Sequence, residues 1–261
     1  GFAPTAVLPV VPDFSHLDLE PDTALAGQFD DDWVNILFVG RFVPNKKPED
    51  LVRFFHAYKR LFNQKSRLIL AGSYAGFDAY LSQVQALIAT LGATDIHILG
   101  QISDQELTAL YDVADLFLCA SEHEGFCVPL IESFHKRVPV LAYAATAVPA
   151  TMDGGGVLYD TKDPFEIARL MAAILDDADL EDAVVASQDA ALDRLLKRDF
   201  AGTLLRFVAQ VRATAPRQAP EVPYDFWAMF DQAERLEELR QFRPAVYRAL
   251  PAPPASRIAP R

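Results

Sequence analysis

At 261 residues, 51% of them hydrophobic, the chain can build a sizeable core in one large domain or two small ones. A formal charge of −12 argues against a nucleic-acid-binding surface, which needs a basic stripe, but leaves room for a phosphate ligand held by a few local cations. No apolar run reaches the roughly 18 residues of a membrane-spanning helix, and two cysteines make no disulfide framework. The opening residues, Gly1 to Pro4, carry neither a charged nor an apolar leader region, so no signal peptide and a cytosolic compartment are expected.

In chain order, residues 1–32 are rich in proline and acid, with Pro4, Pro9, Pro12, Pro21 and the run Asp30, Asp31, Asp32, and read as a linker or border segment outside the core. Residues 35–40 are an almost wholly apolar run, the pattern of a strand buried on both faces. A helix is expected from Pro48, with Leu51, Phe55, Tyr58 and Phe62 on one face. Residues 67–71 predict a second strand, 79–91 a helix and 95–99 a third strand. Ser103 and Glu106 have capping-box spacing and open the next helix. Residues 115–120 predict a fourth strand, with Cys119 as a buried core thiol; a helix follows to about Lys136. Residues 139–142 and 157–159 give two further strands, and helices are expected over 164–177 and 180–213. The pattern breaks after 214: residues 224–243 read as a charged amphipathic helix and 244–261 as a proline-rich tail. Strands alternating with helices in this way specify an α/β fold, a Rossmann-like open parallel sheet with helices on both faces. Ligands of such sheets sit at the carboxyl ends of the strands.

Residues 121–132 carry the strongest functional signal. Glu124 lies on a glycine-containing loop after an apolar strand, and Glu132 falls inside the following helix. A loop leading into a helix N-terminus offers free N–H groups and a positive dipole end to phosphate. Carboxylates on either side can accept hydrogen bonds from the sugar hydroxyls at both ends of a nucleotide sugar. Gly40, Arg41 and Lys46 fall at another strand end of the same sheet.

Together, the segment from Gly40 through Arg41 to Lys46 and the paired Glu124 and Glu132 resemble the donor-binding half of group 1 (family 4) retaining glycosyltransferases, which have the GT-B fold. The resemblance covers roughly residues 34–200 and keeps the order of further blocks: residues 97–103, Glu106–Leu107 leading to Ala114–Asp115, Pro139–Val140, residues 147–149 and residues 156–159. It implies that Arg41 and Lys46 hold the donor diphosphate and, with Glu124, carry the chemistry. Glu124 would contact the transferred sugar, and the backbone of Gly125, Phe126, Cys127 and Val128 would face diphosphate and sugar. Glu132 would accept from the ribose hydroxyls, and Ile102, beside Gln101, would lie against the base. The implied partners are a nucleotide-diphosphate sugar and a glycan or lipid-linked acceptor; no cofactor and no metal site are implied. A GT-B enzyme closes its cleft with a second, similar domain. On this likeness 1–32 is the interdomain crossing, 33–214 the donor-binding domain, and 215–261 a helix and tail. The acceptor domain is then expected upstream of Gly1, leaving the isolated chain inactive and attachment to the inner membrane face open.

Four positions depart from the family pattern. Lys47, Cys127 and Arg137 stand where glycine is usual, and Ala150 where a glutamate is common. Arg137 is expected to require a left-handed backbone at a cost of roughly 1 kcal/mol. Cys127, Arg137 and Ala150 motivate an alternative, a non-catalytic nucleotide-sugar-binding module of the same fold. A sugar-nucleotide epimerase fits the blocks less well. Glu122, His123 and Glu124 are adjacent on one loop and make a poor metal set. His97 reads as structural, residues 154–156 as a turn without the Lys-Ser/Thr end of a phosphate-binding loop, and Cys127 as a loop substitution with no histidine placed beside it.

Overall fold

The computed structural model describes residues 5–8, 10–214 and 233–249. Residues 5–205 form one compact unit. Its sheet is made of β1 (Val34–Val39), β2 (Ser66–Ala71), β3 (Ile96–Gly100), β4 (Leu116–Cys119), β5 (Val140–Tyr143) and β6 (Val157–Tyr159). All pairings are parallel, in the order β3-β2-β1-β4-β5-β6. The central strands are buried along their length, as their continuous apolar runs require. Alternate residues feed two cores. Ile36, Phe38, Leu68, Leu70, Leu116 and Leu118 face one, and Leu37, Ile69, Phe117 and Cys119 the other.

The helices of this unit are α1 (Thr23–Phe29), α2 (Pro48–Leu61), α3 (Asp78–Leu91), α4 (Asp104–Asp112), α5 (Val128–His135), α6 (Val148–Met152), α7 (Pro164–Asp176), α8 (Ala178–Leu196) and the start of α9 (Phe200–Ala213). Proline occupies the first turn of α2 and α7, where its missing N–H costs nothing. The capping box of α4 is complete, with Ser103 and Glu106 each accepting from the other's backbone N–H. In the other unit the described elements are the rest of α9, α10 (Ala233–Phe242) and α11 (Pro244–Ala249).

Several expectations need correction. Residues 15–29 are not a bare linker. A 3-10 turn (Ser15–Leu17) precedes α1, Asp22 caps α1 by accepting from Leu25 N at 2.8 Å, and Leu17 and Phe29 are buried in the second core. Arg67 clamps the end of this segment through both oxygens of Asp31, at 2.8 and 2.6 Å. Phe62 is the C-cap of α2 and is 43% exposed, not part of its buried face. The helix expected over 180–213 is two, because Asp199 Oδ1 accepts from Gly202 N at 2.8 Å and so caps a new start. Of the expected helix 224–243, the described part is α10; residues 224–232 lie outside the described residues. The proline-rich tail begins with α11, and residues 250–261 lie outside them.

The C-terminal edge of the sheet is held tight by glycine. A Cβ on Gly72, at φ +145, would stand 1.9 Å from the Gly40 carbonyl oxygen. The backbone after β2 therefore lies directly against the strand end that delivers Arg41. Gly72→Ala is expected to cost on the order of 3 kcal/mol and to lower the melting temperature by roughly 6–12 °C. Thermal unfolding followed by circular dichroism checks this, and a loss under 2 °C on that scale would mean the contact is slack.

Candidate functional site

The strand order reverses between β1 and β4, and a crevice at such a switch point is where open α/β sheets bind ligands. The residues singled out from the sequence converge there. Gly40 and Arg41 follow β1, and Lys46 ends the 3-10 turn Pro44–Lys46. Lys47 then adopts φ 54 and turns the chain into α2. From β4 the chain runs through Glu124 and Gly125 to Cys127, at φ 69, and into α5, which starts with Val128 and carries Glu132 in its second turn. Arg137, just after α5, has φ 58. All three positions expected to be glycine are left-handed here, so the backbone shape is kept without the residue that makes it easy.

Lys46 Nζ donates to Glu124 Oε1, and both side chains are largely buried. The pair joins the end of β1 to the loop after β4 in a place largely shielded from solvent. The loops carrying them are stitched together. Glu122 N donates to Asn45 O at 2.8 Å, and Asn45 Nδ2 donates to His123 O at 3.0 Å. Thr146 Oγ1 accepts from Glu124 N at 2.9 Å and donates to Glu124 O at 3.1 Å, while Thr151 Oγ1 donates to Phe126 O at 2.5 Å. Lys162 bonds Asp50 and Glu122, each at 2.9 Å, fixing the same loop to α2. Burial alone would lower the Lys162 pKa, but these two carboxylates outweigh it and the ammonium is held above its usual range.

Glu132 is spoken for at both oxygens: His16 Nε2 lies 2.9 Å from Oε1, and Tyr111 OH donates to Oε2 at 3.0 Å. Burial and the Glu132 charge push the Tyr111 phenol well up, so it remains a donor. Arg41 is exposed, its guanidinium 5.9 Å from the Phe77 ring centre, and no ion pair holds it among the described residues. Ile102 follows β3 and packs, like Phe126, on the second core, while Gly125 and Val128 are exposed on the loop and helix start. His97 packs edge-on to Phe29 at 5.2 Å, a structural place as expected. Cys119 and Cys127 are both buried and free; the Cys127 thiol holds Cys119 down at about 7, whereas Cys119 and burial push Cys127 up.

His16, Tyr111, Asn45, Thr146 and Lys162 were not found in the sequence. Asn45 alone left a readable trace, a turn-forming amide one residue before the lysine.

Over residues 26–190 the sequence matches the family described as glycosyl transferases group 1, and the chain belongs to that family. It is 28% identical over 192 residues to a D-inositol 3-phosphate glycosyltransferase of Corynebacterium kroppenstedtii, a match covering 72% of this chain and 42% of the relative. It is likewise 28% identical over 145 residues to the O-antigen chain mannosyltransferase B of Escherichia coli, covering 54% of this chain and 37% of that one. The chain thus spans less than half the length of these relatives. Among solved structures, Anabaena Alr3699/HepE in complex with UDP and glucose superposes with a TM-score of 0.61 at 18% identity, over 78% of this chain and 53% of that one. The C-terminal domain of the group 1 glycosyl transferase LpcC from Francisella tularensis gives 0.55 at 20% identity, over 67% of this chain and 94% of that domain. These likenesses show the fold: the Rossmann-like half of a GT-B architecture. No described helix is long and apolar enough to cross a membrane.

Proposed function

We propose that this chain is the donor-binding half of a retaining glycosyltransferase that moves a hexose from a nucleotide-diphosphate sugar to a glycan or lipid-linked acceptor bound outside this chain. The observation that carries the reading is the Lys46–Glu124 pair at the β1/β4 switch point, with Glu132 one turn into the helix that opens there. Arg41 and Lys46 would neutralise the diphosphate and the charge that grows on it as it leaves, without a resident metal. Glu124 would turn from Lys46 to the hydroxyls of the transferred sugar. Glu132, oriented by His16 and Tyr111, would accept from the ribose diol. Ile102 and its neighbours would flank the base. That Alr3699/HepE was solved with UDP and with UDP-glucose supports a uridine or related donor for this fold.

The alternative, a binding module whose chemistry has lapsed, is favoured only by the left-handed Cys127 in the loop beside Glu124. Retention of all four charged residues weighs against it. Calorimetric titration of the chain with UDP, GDP and ADP, beside a Glu132→Ala control, tests the pocket. Saturable binding of one nucleotide, weakened at least about tenfold in the variant, is the expected result. Binding that is indifferent to Glu132 would remove that residue from the pocket.

A further inference from the structure

Two thiols and a carboxylate meet at the floor of this site. Cys119 at the end of β4, Glu124 on the loop and Cys127 at its close each present one ligand atom, all within 4.8 Å of one another, and all three residues are buried. Three atoms no farther apart than 4.8 Å share a centre at most about 2.8 Å from each. A contraction of about half an ångström per ligand reaches the usual 2.3 Å zinc–sulfur and 2.0–2.2 Å zinc–oxygen bonds. We propose that Cys119, Cys127 and Glu124 form a site for a thiophilic divalent cation of the zinc type, with one coordination position open, and that the bound ion competes with the sugar end of the donor.

Sulfur ligands select zinc-type ions over magnesium or calcium. Charge also fits: two thiolates and one carboxylate carry three negative charges, against two on the ion and one on Lys46, which already pairs with Glu124. Each thiol gives its proton to solvent as the metal–sulfur bond forms, and no oxidation is involved. Lys46 already bonds Oε1, so an ion on the same carboxylate withdraws its charge and lone pairs from a sugar hydroxyl and fills the space beside it. The competition rests on the functional reading above; the ion site itself does not. The ends at Arg41 and Glu132 are untouched, so free nucleoside diphosphate should still bind with the ion in place.

Cadmium is the probe, because its thiolate bonds absorb in the near ultraviolet and this chain has only two cysteines. Titration of the reduced chain should give a thiolate–cadmium band that saturates at one ion per chain, with proton release into a weak buffer. The band should fall by at least about tenfold in affinity in Cys119→Ser and in Cys127→Gly. Cys127→Gly is the safer variant, since glycine relieves the left-handed backbone at that position. Glu124→Gln should keep the band and weaken the ion. No band, or one that saturates at half an ion per chain, would overturn the site. With cadmium bound, nucleotide sugar should bind at least about tenfold more weakly while nucleoside diphosphate is unchanged; equal binding of nucleotide sugar would overturn the competition. A metal-binding chain that takes up no nucleotide under any condition would leave the ion site standing and remove the functional reading instead.

Discussion

Replacing Glu124 with alanine in the full-length protein should lower transfer by about a thousandfold or more. The carboxylate is one of few charged groups buried at the switch point, and its loop is fixed from both sides by Asn45 and Thr146. Lost transfer will therefore reflect the missing group and not a collapsed loop. A second, opposite effect should accompany it. Glu124 holds Lys46 in the unliganded chain, so removing it releases the ammonium, and nucleoside diphosphate should bind the variant as well as the parent or a few-fold tighter. Initial-rate assays and titration calorimetry on the same preparation separate the two. Transfer near the parent rate would exclude Glu124 from the chemistry. Lost transfer together with lost diphosphate binding would mean that Glu124 serves Lys46 and not the sugar.

Lys46→Met should behave differently. It would remove the proposed diphosphate contact and strand a carboxylate that is 9% exposed, so both nucleotide affinity and stability should fall. Affinity for nucleoside diphosphate is expected to drop about thirtyfold to several-hundredfold, the cost of about 2–3.5 kcal/mol. Stability should fall by about 1–3 kcal/mol, because a largely buried carboxylate is left without its partner. Lys46→Arg keeps the charge and should recover stability more fully than transfer, since a planar fork cannot reproduce the position of a point charge. Arg41 offers the contrast: it is exposed and has no ion-pair partner among the described residues, so its removal should cost affinity and leave stability within about 0.5 kcal/mol.

The sheet was legible because its strands are short apolar runs buried on both faces, and such runs carry their own boundaries: β1, β2 and β3 lie within a residue or so of their expected positions. The Ser103 capping box was legible for the same reason, being a local demand of the backbone met by local chemistry, whereas the left-handed Arg137 was legible only because the family pattern places glycine there. Leu17 and Phe29 were not. Each is an apolar residue in a polar, proline-bearing stretch without period, and only its tertiary neighbours make it core. The motif residues Arg41, Lys46, Glu124 and Glu132 were readable from block order. Their mutual geometry was not: Lys46 and Glu124 are 78 residues apart, and His16 and Glu132 are 116 apart. No spacing rule links such pairs; they meet because the parallel sheet brings the ends of β1 and β4 side by side and because residues 15–29 pack across the second core.

The contact between His16 and Glu132 bears on how the chain may be divided. A fragment begun at residue 33, where composition shifts from polar to apolar, would look like a clean domain. It would leave Phe29 and Leu17 behind, uncover apolar surface of the second core next to α4, and take from Glu132 one of its two partners. Such a fragment should be less soluble and a poorer ligand for nucleotides than the longer chain. Any handle or domain that pulls on residues 15–18 acts through His16 directly on the Glu132 carboxylate.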